Sequence, residues 1–150
     1  MCKENQSGQI NRINNTFSAY WSRIFLAFCL CLLLAKCVCA DDLTVHFLDV
    51  GQGLCIYAES GDETLLYDGG GRDSSSFVVA CLKQQNVEKI DYLICSHFDE
   101  DHMAGLIGCL HAFEVGSVIL PEYQKESDLF ISLMSAIAEK QLAVHYAYAG

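Results

Sequence analysis

The sequence predicts an α/β fold: one mixed β-sheet with helices on a single face. Three observations lead there. β-rich runs recur from residue 43 to 148, the first three are separated only by short Gly- and Asp-containing turns, and helical periodicity alternates with strands after residue 74. Hairpins followed by strand–helix units give a mixed sheet with an antiparallel start. Helices on one face leave the other still to be buried, and the 150 residues hold only this one sheet. They therefore read as the amino-terminal half of a two-sheet sandwich.

The elements follow in order. Residues 43–50 (LTVHFLDV) alternate apolar and polar side chains, then break at Gly51-Gln52-Gly53. A second strand, residues 54–59, ends at Ser60-Gly61-Asp62, and a third, residues 64–67, ends at Asp68 and three glycines. Residues 74–85 place Phe77, Val78, Cys81 and Leu82 on one helical face, with Asp73 and Ser74 to Ser76 as capping candidates. Residues 90–95 (IDYLIC) are a short apolar strand of the buried kind. From His102 the spacing of Met103, Leu106, Ile107 and Leu110 is helical again. A strand at residues 115–120 closes at Pro121. Residues 126–140 form an amphipathic helix with Leu129, Phe130, Leu133, Met134 and Ile137 on its apolar side, and residues 142–148 are a final strand.

Residues 1–40 are a separate leader. Ile24 to Ala35 are twelve apolar residues without a charge, preceded by Arg12 and Arg23 and followed by Lys36. A membrane-crossing helix needs roughly 20 such residues. The basic start, short apolar core and Val38-Cys39-Ala40 exit fit a signal peptide instead, with a short membrane anchor as the alternative. The expected localisation is secreted or extracytoplasmic, with membrane contact made through the leader. Charge is divided the same way: the leader carries +3, whereas residues 41–150 hold five basic and 18 acidic side chains, a formal −13. A body that acidic has no general affinity for nucleic acid. It retains Cys55, Cys81, Cys95 and Cys109, whose spacing lacks a C-x-x-C pair, and these read as buried free thiols.

The chemistry lies in Ser96-His97-Phe98-Asp99-Glu100-Asp101-His102, between a buried strand and a helix. His97, Asp99, Asp101 and His102 are four candidate metal ligands within six residues. Imidazole with carboxylate suits Zn²⁺, Mn²⁺ or Fe²⁺, and the additional carboxylate leans toward harder ions. Asp99, Glu100 and Asp101 also repel one another, which a cation would relieve. The competing reading is an acidic helix start, in which Asp99 or Asp101 caps the helix and the histidines have no role. His46, His111 and His145 read as packing or surface residues. Asp68 on its own reads as an Asp-Gly turn, and Asp49 as either a turn former or a residue at the site edge.

These residues resemble the metallo-β-lactamase fold superfamily, whose signature is H-x-H-x-D-H at a strand end. The H-x-D-x-D-H form is similar to the subgroup of the competence protein ComEC. Asp49-Val50-Gly51-Gln52-Gly53 looks like that subgroup's D-V-G-Q-G turn, and Asp68-Gly69-Gly70 like the superfamily's D-x-G element. The resemblance spans residues 43–148. Leu54 departs from the Asp often found after G-Q-G.

The resemblance implies an α/β fold of the four-layer αββα kind, with one or two divalent ions at the sheet edge. Zinc comes first, with manganese or magnesium as alternatives. It implies that His97 and Asp99 hold one ion, that Asp101 and His102 hold the other, and that Asp101 also orients the attacking water as the catalytic carboxylate. Asp68, and more distantly Asp49, would support those ligands by hydrogen bonds. The implied substrate is a small molecule or phosphodiester attacked by metal-activated water, with a β-lactam or carboxylic ester as the rival. A fragment that keeps the shape without catalysis is the alternative from another class.

Overall fold

The computed structural model describes residues 42–148 together with Arg23, Ile24 and Leu26. The chain divides into two units, Met1–Ala40 and Asp41–Gly150, and every element named below lies in the second. Apart from Ile24 and Leu26, the apolar run expected to be a signal peptide lies outside the described residues. Among those described, no helix is long and apolar enough to cross a membrane.

Six strands form one sheet in sequential order: β1 (Leu43–Phe47), β2 (Ile56–Ser60), β3 (Glu63–Tyr67), β4 (Lys89–Ile94), β5 (Glu114–Pro121) and β6 (Ala143–Ala147). β1, β2 and β3 pair antiparallel, and β3 to β6 pair parallel. The β2–β3 turn has Ser60 opposite Glu63 and a positive φ of 57° at Gly61 alone. A glycine at the first central position is what a type II′ hairpin requires.

Three helices make the parallel crossovers: α1 (Ser75–Gln84, after a 3-10 turn at Arg72–Ser74), α2 (Glu100–Ala112) and α3 (Asp128–Glu139). Parallel crossovers share one hand, so successive crossovers in a sequentially ordered sheet stack their helices on one face. The core lies between that face and the helices. Tyr57, Leu66, Leu93, Val118 and Leu120 from the sheet meet Val78, Leu82, Leu106, Leu110 and Leu133 from the helices. α3 starts at Ser127, whose Oγ accepts from Phe130 N at 3.1 Å. The side chain of Phe77, expected on the buried face of α1, is instead 45% exposed. Val78 and Leu82 fill that face. The opposite face of the sheet is apolar and open, with Val45 44%, Phe47 75% and Tyr92 40% exposed.

The sequential order brings the loops after β1, β3, β4 and β5 to one end, the carboxyl end of the parallel strands. In open α/β sheets that end is where ligands are bound.

Candidate metal centre

The centre starts from Asp68, the one charged side chain among the described residues that is fully buried. It follows β3 with a φ of 57°, a left-handed conformation that Asp tolerates better than most residues. Its backbone N–H is held by Ile94 O at 2.9 Å, and the next N–H, of Gly69, by His102 O at 2.7 Å. No side chain would fit at Gly69 or Gly105. A Cβ on Gly69 would lie 2.4 Å from Leu106 N, and one on Gly105 would lie 1.8 Å from Gly69 O. The β3 loop is thereby seated directly on the first turns of α2.

Buried carboxylates are costly unless their lone pairs are satisfied. Asp68 Oδ1 accepts from Ser96 N at 2.8 Å. Its Oδ2 accepts from Ser96 Oγ at 2.6 Å and from His102 Nδ1 at 2.8 Å. The serine hydroxyl has spent its only proton on Asp68, so at 2.8 Å it receives one from His97 Nδ1. Both imidazoles thus donate from Nδ1, so in the neutral ring the lone pair is the one on Nε2. The two rings lie with centroids 4.0 Å apart, with His102 19% and His97 38% exposed. Asp68, His97 and His102 each offer a ligand atom within 4.8 Å of the others. Because both Asp68 oxygens already accept hydrogen bonds, its place in this set is that of an orienting carboxylate, the usual partner of a metal-binding imidazole. Two Nε2 lone pairs with carboxylates alongside suit zinc or a similar divalent ion, so the donor set fits the expected group.

The remaining acidic residues have partners of their own. Asp99 Oδ2 lies 3.4 Å from His97 Nε2, while its Oδ1 is bound by Lys125 Nζ at 2.5 Å. The Lys125 ammonium holds the Asp99 carboxyl below its ordinary range, and Asp99 in turn raises the lysine. Asp99 stands at the N-cap of α2, yet its side chain makes no capping bond, which removes the helix-cap reading for this residue. Glu100 faces Arg72 at 3.7 Å across an exposed pair, worth little on its own. Asp101 Oδ2 accepts from Gln52 Nε2 at 3.4 Å. The repulsion expected among residues 99–101 is therefore relieved in part by Lys125, Arg72 and Gln52.

The turn at residues 51–53 packs against the same motif. Gly53, at φ 108°, would put a Cβ 1.9 Å from Asp101 O, so only glycine lets the two loops meet. Asp49 is exposed, and its Oδ1 accepts from Gly51 N at 3.2 Å, the bond of a turn former. His46 stacks on Tyr57 with centroids 5.6 Å apart, and His111 and His145 are exposed. All four body cysteines are free, and Cys55, Cys95 and Cys109 are buried. Burial, aided by the Asp68 charge, pushes the Cys55 and Cys95 thiols up to about 12.

Ser96 and Lys125 are the two site residues that sequence reasoning missed. Ser96 directly precedes the motif, so adjacency was a usable signal. Lys125 arrives from the loop after β5, 26 residues beyond Asp99, and no local pattern marks it.

Comparison with known proteins adds three findings. A family model described as the Metallo-beta-lactamase superfamily matches residues 48–143. The Uncharacterized protein YcaI of Escherichia coli (strain K12) is 33% identical over 76 residues, 47% of this chain and 10% of that protein. The chain thus spans about a tenth of that relative's length. A crystal structure of a metallo beta lactamase from Hirschia baltica is similar over 72% of this chain and 48% of that one, with a TM-score of 0.42 and 19% identity.

Proposed function

Starting from a chain that belongs to the metallo-beta-lactamase superfamily, we propose that its body is a metal-dependent hydrolase of the ComEC-like subgroup, acting on phosphodiester or related ester bonds. The observation that carries the reading is the Asp68–Ser96–His97–His102 network, which turns both Nδ1 atoms inward and holds the two imidazole rings with centroids 4.0 Å apart. A divalent ion held there supplies Lewis acidity toward an ester oxygen and acidifies water.

The chain's own residues do the rest. His97 and His102 would hold the ion. Ser96 and Asp68 accept from their Nδ1 hydrogens, and the Asp68 carboxylate would offset charge drawn onto the His102 ring. Asp101 has one oxygen on the Gln52 amide and the other free to accept a proton from water or to join the ligands. Asp99, whose Oδ2 lies 3.4 Å from His97 Nε2, could supply a further ligand oxygen. Asp49 shapes the turn that presents Gln52 to Asp101. The subgroup proposal draws on Asp99 in place of the second histidine and on the D-V-G-Q-G turn, whose Gly53 packs on Asp101. Zinc is the proposed ion, with manganese or magnesium as alternatives. The proposed location is secreted or extracytoplasmic.

The test is metal content and hydrolysis of bis(p-nitrophenyl) phosphate by the full chain, with and without chelator. Loading and turnover that both vanish in His97→Ala and His102→Ala support the reading. Metal-independent turnover refutes it. A second reading, a non-catalytic module that keeps the fold, draws on the Lys125 ammonium and Gln52 amide that occupy Asp99 and Asp101. Metal binding without any turnover would favour it.

A further inference from the structure

A cavity of about 190 Å³ opens beside the motif loop, walled by Phe98, Leu120, Tyr123, Phe130, Met134 and Tyr146. Its polar members, Glu122 and Gln124, are exposed. The cavity meets the motif loop at Phe98, and none of its lining residues is a candidate metal ligand. Phe98 stands between His97 and Asp99 in the chain, and its backbone N–H donates to Tyr123 Oη at 3.1 Å. The aromatic wall is already assembled: Phe98 meets Tyr123 and Phe130 edge-on, with centroids 4.9 and 4.7 Å apart. Two residues beyond Tyr123, Lys125 reaches back to Asp99 Oδ1, so the loop that lines the cavity also brings a positive charge to the motif.

We propose that this cavity is a subsite for one aromatic ring of the substrate, carried on an anionic ester whose charge meets Lys125. The inference rests on the hydrolase reading of His97 and His102 and names the substrate class for that site. The size fits one ring, since an apolar cavity of about 150 Å³ accommodates benzene. The chemistry fits as well. An aromatic ring prefers edge-on or offset contact with other rings, which Phe98, Tyr123, Phe130 and Tyr146 offer, and Met134 supplies a polarizable sulfur. An alkyl ester would leave the same walls in contact with water.

The experiment compares phenylphosphonate with methylphosphonate as ligands of the zinc-loaded full chain by calorimetry. Burying a phenyl ring in place of a methyl is expected to tighten binding about tenfold or more. Met134→Trp, which fills the cavity, is expected to erase that preference, and Tyr146→Ala, at an exposed position on β6, to reduce it about threefold. Equal affinities for the two ligands overturn the proposal, as does a preference unchanged in both variants. The hydrolase reading fails separately. If the chain binds no zinc at the histidines yet still prefers phenylphosphonate, with the preference lost in Met134→Trp, the subsite stands without it.

Discussion

Asp68→Asn isolates what the buried carboxylate does. Asparagine matches the shape and tolerates the left-handed φ of 57°, so the backbone need not move. The amide oxygen can still accept from Ser96 N, but an NH₂ group then faces both Ser96 Oγ and His102 Nδ1, 2.6 and 2.8 Å from the former oxygen. The serine hydroxyl can rotate to accept. His102 can accept only by moving its proton to Nε2, which removes the lone pair that a metal needs. Hydrogen bonds to a charged group contribute about 1.5–3 kcal/mol each, so one lost and one weakened should lower stability by about 2–4 kcal/mol. Loss of the orienting carboxylate should weaken zinc binding about 10- to 100-fold. Denaturant unfolding measures the first, and chelator competition the second. Imidazole nitrogen NMR reads the tautomer directly. Zinc affinity within about twofold of the parent, with the His102 proton still on Nδ1, would refute the orienting role.

Three further outcomes are expected. Gly105→Ala should gain about 1 kcal/mol by helix propensity, yet its Cβ would lie 1.8 Å from Gly69 O. A net loss of about 1–3 kcal/mol is expected on thermal or chemical unfolding, and a gain would contradict the close seating of the β3 loop on α2. Lys125→Met should let the Asp99 carboxyl rise back toward its ordinary 3.8, visible in a carboxyl NMR titration. Because the folded-state value is the lower one, the pair's contribution is present above 3.8 and is lost as pH falls through the depressed value, so the variant should lack that acid-side loss. An Asp99 titration unchanged in the variant would show that Lys125 does not hold it. Finally, Cys95, like Cys55 and Cys109, has a thiol raised to about 12, and all three should resist iodoacetamide at pH near 8 until the chain unfolds. Mass mapping checks this, and native-state labelling of any of the three would contradict their burial.

Much of the architecture was legible because burial imposes its period locally. The pattern of Leu129, Phe130, Leu133, Met134 and Ile137 marks α3 closely, and alternation together with Gly-Asp turns marks the first three strands. Phe77 shows the limit of that reading. Helical spacing admits it to the apolar face of α1, but which part of the stripe touches the sheet depends on how the helix is docked. At the site, the histidines stood out by density alone. Asp68 carries only a turn signal in its local sequence, because its hydrogen bonds reach 28 residues to Ser96 and 34 to His102. Lys125 was invisible for the same reason. The sequence shows Asp99, Glu100 and Asp101 as neighbouring like charges, but the partners they find in Lys125, Arg72 and Gln52 come from loops that meet only in the fold.

The most direct measurement is X-ray absorption on the zinc-loaded full chain, beside His97→Ala and His102→Ala. Two imidazole nitrogens at about 2.0–2.1 Å from the ion, one of them lost in each variant, are the result expected here. An all-oxygen shell that neither substitution alters would contradict the centre built on Asp68.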